Sequence, residues 1–196
     1  MNSSYQSLPH ALLAPQTSIL QQQTIENAPV TRNDSAELVY TDFTHVRPFT
    51  ISPTATINQI NARMMACGVR LLFVTETDTV LQGLVTYTDL FGEKPVRYIQ
   101  EHGGSREEIL AQDIMTPLAQ LEALSKVDVL KARVGDIVKT IETAGRQHML
   151  VCYTHENGNQ TVIGLFSSTQ IEKLTGIKLE LSTRAHTFAD LERALT

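Results

Sequence analysis

The sequence predicts an α+β fold, α/β-like in its alternation: two tandem β-α-β-β-α repeats packed sheet to sheet about a pseudo-twofold axis. Three observations predict it. The stretch Gly83-Leu84-Val85-Thr86-Tyr87-Thr88-Asp89-Leu90 reads as an apolar strand ending in a hydroxyl, two spacers, then a carboxylate opening a helix. Gly164-Leu165-Phe166-Ser167-Ser168-Thr169-Gln170-Ile171 repeats that plan 81 residues later. Upstream of the echo, Val134, Ile137 and Ile141 stand 77 residues after Ile57, Ile60 and Met64, and Gly145 and Val151 keep that offset from Gly68 and Val74. The single change of offset puts four extra residues in the turn Thr154–Asn159, where a hairpin tip facing water tolerates insertion.

Residues 1–37 are rich in Ser, Gln, Asn, Thr and Pro and hold no lasting period, so they read as a disordered, low-complexity tail, with at most a short helix over Ser18–Asn27. The first repeat with its connecting helix takes 38–112, opening on a lead-in strand or turn over Val39–Phe43 and an extended piece, Thr50–Thr54, broken by Pro53. Thr54 or Thr56 caps a helix over Ile57–Cys67, whose apolar residues recur at i, i+3 and i+7. Gly68 ends it. Val69–Val74 is apolar throughout, as a doubly covered strand is, and Val80–Thr86 returns as its partner. A helix follows from Asp89, kinked or restarted at Pro95. After the breaker Gly103-Gly104, Ser105 and Glu108 form a capping box for a helix toward Gln112. The second repeat occupies 113–181, with a last strand over Ile177–Leu181. A C-terminal helix in 182–196 is capped by Thr187.

Composition excludes several classes of function. A hydrophobic share of 42% with 19% charged residues is that of an ordinary globular protein, and the net charge of −5 without a basic run argues against nucleic acid as partner. No apolar run reaches the ~20 residues of a membrane helix, and no basic region precedes Ala11–Ala14 as a signal peptide would require. The expectation is a cytoplasmic chain with no membrane partner. Cys67 and Cys152 read as reduced core thiols. The six histidines show no metal spacing, Ser167-Ser168 lacks the Gly-x-Ser-x-Gly elbow, and neither a Walker A nor a G-x-G-x-x-G loop is present. No catalytic residue, metal or required cofactor is assigned.

Five segments taken together resemble a known family: Ile51-Ser52-Pro53, Gly68-Val69-Arg70, Gly83 to Asp89, Asp113-Ile114-Met115-Thr116-Pro117 and Gly164 to Gln170. Their order resembles the cystathionine-β-synthase (CBS) domain, and two units in tandem, over about 44–176, look like a Bateman module. The resemblance implies a regulatory module with an adenosyl ligand (AMP, ADP, ATP or S-adenosylmethionine) in a cleft between the units. Carried onto this chain, it implies that Asp89 grips the ribose hydroxyls, that Thr86 faces ribose or phosphate, and that Thr50, Ile51 and Ser52 wall the base. A carboxylate suits a vicinal diol because it accepts charge-assisted bonds from both hydroxyls. Arg70 stands where it could meet a phosphate, and Arg146, His148, Ser167 and Gln170 are the corresponding candidates in the second unit. Two positions depart from the family pattern: Gln170 replaces the carboxylate, and Thr88 stands where many relatives place a basic residue.

Two readings remain open from the sequence. In one the chain is a non-catalytic sensor, a homodimer packed through the helix faces at 57–67 and 134–144, whose ligand-dependent angle is read by an effector protein in trans. In the other, Thr86-x-x-Asp89 and Ser167-x-x-Gln170 are helix capping boxes and His148 is a core histidine. The module is then a ligand-free dimerisation or docking scaffold.

Overall fold

The computed structural model describes residues 29–77 and 79–181, so most of the expected tail, the helix over 18–27 and the helix in 182–196 lie outside the described residues. In chain order the elements are β1 (Thr41–Asp42), β2 (Thr50–Ile51), α1 (Ile57–Cys67), β3 (Leu71–Thr75), β4 (Leu81–Thr86), α2 (Tyr87–Phe91) and α3 (Lys94–His102). Then come α4 (Ala111–Ile114), β5 (Thr116–Pro117), β6 (Ala123–Ser125), α5 (Lys126–Val129), α6 (Val134–Ala144), β7 (His148–Thr154), β8 (Gln160–Ser167) and α7 (Ser168–Thr175). The fold class is α+β, as the sequence predicts, and the strands form two four-stranded sheets.

Local chemistry sets the boundaries of α1 and α6. Thr56 and Gln59 form a reciprocal capping box at the start of α1, and Gly68 closes it with φ 65°, a left-handed conformation open to a residue without Cβ. Gly145 does the same for α6 at φ 61°. Pro95 sits in the first turn of α3, where its missing N–H costs nothing, so the helix restarts there rather than kinks. The helix expected from Ser105 to Gln112 is instead a 3-10 turn over Arg106–Glu108 followed by α4. Only half the expected box forms, the Ser105 N–H donating to Glu108 at 2.8 Å. Ile109 breaks the helical run by inserting, 1% exposed, into the first core.

The sheets run β2-β3-β4-β5 and β1-β8-β7-β6, with β2–β3 and β6–β7 parallel and the remaining pairs antiparallel. The boundary at 112/113 therefore does not follow the sheets. Thr41 and Asp42, placed in the first repeat, pair with Leu165 and Gly164 of the second, whereas Thr116 and Pro117, placed in the second, pair with Leu84 and Gly83 of the first. Residues 29–37 also depart from the loose tail expected of them. Ala36 is fully buried and Val30 packs beside it in the second core, because the 3-10 turn Ala36–Val39 docks on α6. Glycine makes both edge pairings possible. A Cβ on Gly83 would stand 2.5 Å from the Thr116 carbonyl oxygen, and one on Gly164 would collide with the Thr41 carbonyl and the Tyr40 ring.

The four extra residues of the second unit are not in the turn. Both hairpins have the same break in register, Thr75 opposite Leu81 in one and Cys152 opposite Val162 in the other. The second hairpin then adds the pairs Tyr153–Thr161 and Thr154–Gln160 before it turns. Adding two residues to each strand preserves the inward–outward alternation, which an odd insertion in one strand would invert. Each unit has its own core between sheet and helices, one around Ile60, Leu72 and Leu90, the other around Ile141, Val151 and Phe166. A third cluster, Leu71, Phe73 and Leu84 against Leu150, joins the sheets face to face. The last strand expected over Ile177–Leu181 is absent. Leu179 and Leu181 pack on the second core, and the Leu179 N–H is taken by Glu172 at 2.9 Å.

Candidate functional site

The first-unit motif is closed on itself. At the end of β4 the Thr86 N–H and hydroxyl both donate to Asp89 Oδ2 at 2.7 Å, and the Asp89 N–H returns a bond to the Thr86 hydroxyl. Asp89 Oδ1 is held by Lys94 Nζ at 2.7 Å, and the carboxylate side chain is only 12% exposed. Lys94 also donates to the Ile114 carbonyl at 2.9 Å and to Thr116 Oγ1. The group assigned to ribose therefore bolts the start of α2 to α3, and through Lys94 to the edge strand β5. Its assigned companions are dispersed. Thr50 faces a cavity at the other end of the strands, Ile51 packs on the first core, and exposed Ser52 bonds to Thr54.

The second-unit motif is open. Ser167 makes no side-chain capping bond to α7, so the expected box with Gln170 does not form. Ser167 and Gln170 line a cavity of about 340 Å³ between the units, and the strand register sets Ser167 directly across from His148. Opposite them stand Arg70, at the start of β3, and Arg47, from the lead-in after β1. Phe43 and Phe73, edge to face with centroids 5.6 Å apart, floor the cleft. Among the described residues no carboxylate lines it and neither arginine has an ion-pair partner. Arg70 lies 5.8 Å over the Tyr87 ring, which steadies a guanidinium without neutralising it. Arg146, assigned to the same ground, lies elsewhere, ion-paired with Glu122 at 3.2 Å.

The family model described as CBS domain matches residues 41–95. The chain carries a CBS domain. Three solved structures share its fold. One is an uncharacterized conserved protein from Pyrococcus horikoshii, with TM-score 0.53 and 18% identity over 78% of this chain and 100% of that one. Another is CBSX2 in complex with AMP, with TM-score 0.51 and 14% identity over 72% and 95% of the two chains. A third is the CBS-domain containing protein ATU1752 from Agrobacterium tumefaciens, with TM-score 0.50 and 19% identity over 80% and 98%. No curated protein sequence matches the chain.

These structures span both units, so the whole described chain has the architecture of a CBS pair. The cleft's residues are shared between the two units. Arg47, Gln147, Thr169 and Phe43 line it although none was singled out from sequence. For Gln147 and Thr169 a signal existed, since they stand 77 and 81 residues after Arg70 and Thr88. For Arg47 and Phe43 there was none, because the crossing of β1 to the second sheet is a long-range pairing.

His148 takes the place that Leu71 holds in the first unit, and burial pushes its imidazole down to about 4. The folded pKa lies below the unfolded one, so the neutral ring's contribution is complete above about pH 6.5 and is lost as pH falls toward 4. At pH 5 the loss is about 2 kcal/mol. His148→Leu is expected to remove this part of the pH dependence. Unfolding midpoints of the variant at pH 7 and pH 5 should lie closer together than those of the wild type.

Proposed function

We propose that this CBS pair is a non-catalytic regulatory module, and that the cleft over Ser167–Gln170 binds an adenosine nucleotide carrying phosphate. The observation that carries this reading is the charge of the cleft, which among the described residues holds two guanidiniums without ion-pair partners, a neutral imidazole and no acid. Such a lining favours an anion and disfavours the sulfonium of S-adenosylmethionine, which would meet two like charges. The uncapped start of α7 adds backbone N–H groups and the positive end of a helix dipole. The volume falls within the range of small-molecule sites, ~300–1,000 Å³, and the fold is one in which CBSX2 has been captured with AMP.

Regulation follows from where the ligand would touch. Arg70 belongs to the first unit, just before β3, and Gln170 to the second, so a bound nucleotide favours the arrangement in which both reach it. A partner protein in trans then reads that arrangement. Exposed Met65 on α1 and exposed Tyr87 and Phe91 on α2 supply apolar surface for pairing two copies. The scaffold reading finds support at the first motif alone, where Asp89 is engaged by Thr86 and Lys94.

Thermal unfolding tests the proposal. AMP or ADP at 100 times its Kd is expected to add about 2.7 kcal/mol, a rise of roughly 5–10 °C for a chain of this size. S-adenosylmethionine and adenosine at the same concentration should shift the midpoint far less. Equal shifts from adenosine and AMP would remove the phosphate from the proposal, and no shift from either would remove the nucleotide.

A further inference from the structure

A second, larger cavity of about 850 Å³ opens at the other end of the strands, where the two hairpins face each other. Its floor is apolar, with Phe73, Leu121 and Leu150 among the residues that form it, and Phe43 and Pro48 separate it from the arginine-bearing cleft. Its rim is a set of hydroxyl and amide groups. Thr50, Thr75 and Thr79 line it, and among the described residues their hydroxyls have no side-chain partner. Among the described residues, not one lining side chain carries a formal charge. The two cavities are thus chemically opposite although they share a wall.

The second hairpin shows how this space is built. Three of the four residues that lengthen it beyond the first, Thr154, Gln160 and Thr161, line the cavity. Had the hairpin stopped where its counterpart does, the wall would end at Cys152 and Val162. The extension thus raises a polar edge beside an apolar floor.

We propose that this cavity is a second ligand site, and that it takes an uncharged, ring-bearing small molecule with hydroxyl or carbonyl groups along one edge. The apolar floor gains by covering a ring, and the hydroxyls, which both donate and accept, match neutral oxygens. A charged ligand would be desolvated there without a counter-ion, which excludes the nucleotide proposed for the cleft.

Cys152 in the wall is a built-in reporter, because the chain's other cysteine, Cys67, lies at the end of α1 away from the cavity. In a Cys67→Ser background, alkylation of Cys152 by N-ethylmaleimide is followed with and without the neutral dye Nile red. Nile red at ten times its Kd should slow alkylation about tenfold, the protection expected of simple occupancy. The anionic dye anilinonaphthalene sulfonate should give little protection, and saturating AMP should not displace Nile red. Val162→Trp, which sets an indole on the apolar wall beside Cys152, should weaken dye protection while the unfolding midpoint reports that the variant is folded. Unprotected Cys152, or equal protection by the anionic dye, would overturn the proposal whether or not the tryptophan variant folds. Displacement of Nile red by AMP would place both ligands in one site and overturn it too.

Discussion

Gly164→Ala is expected to lower the unfolding midpoint by roughly 6–12 °C, corresponding to about 3 kcal/mol of forced overpacking. A methyl at this position meets the Thr41 carbonyl and the Tyr40 ring. The carbonyl is backbone, and the ring is tied down by its hydroxyl, which donates to the Ile163 carbonyl at 2.8 Å. Neither yields cheaply, so β1 must lift from β8. Gly83→Ala does the equivalent harm at the first sheet, against the Thr116 carbonyl at 2.5 Å, and a similar fall is expected. The two variants differ in what else they lose. Lifting β1 carries away the lead-in that holds Phe43 and Arg47 in the cleft, so Gly164→Ala should also weaken AMP. Gly83→Ala displaces β5, which does not line the cleft, and should bind AMP nearly as the wild type does. Calorimetric unfolding and an AMP titration on both variants check the pair of expectations.

Arg70→Gln and Arg47→Gln are each expected to weaken AMP by roughly 10- to 100-fold, the usual worth of a hydrogen bond to a charged group. Both side chains are exposed, so the folded state should lose little by either change. The loss should shrink as salt rises, because these cations sit at the mouth of the cleft where counter-ions reach them. Binding isotherms at low and high ionic strength, with unfolding midpoints measured in parallel, separate this from general damage. An effect on stability as large as the effect on affinity would contradict the role given to the arginines.

The repeat was legible in the sequence because it rests on short-range signals. Helix period, glycine C-caps and the strand-to-helix motif recur at a fixed spacing, and α1 forms over the residues they predict. What the sequence did not carry was which sheet a two-residue edge strand joins. Thr41–Asp42 and Thr116–Pro117 are too short for a pattern, and their placement depends on two glycines far along the chain. The candidate site suffered for the same reason. Asp89 looks like the better ligand residue because a carboxylate suits a diol, but Lys94, five residues on, consumes its charge. Gln170 looks like the poorer one, yet it stands in the open cleft because Ser167 leaves it uncapped. Ion pairing within a motif is decided by rotamers and by the path of the following helix, and neither is written in the motif.

The most direct test is an AMP titration of Asp89→Asn by isothermal calorimetry, beside the wild type. Asparagine keeps one acceptor oxygen for Thr86 at the head of α2 and replaces the oxygen held by Lys94 with an amide NH2, so the charge and the Lys94 contact are lost together. With the cleft over Ser167–Gln170 as the nucleotide site, the variant should bind one AMP per chain with an affinity within about twofold of wild type, since neither Asp89 nor Lys94 lines that cleft. Loss of AMP binding in a folded Asp89→Asn protein would contradict the account and return the site to the first CBS motif.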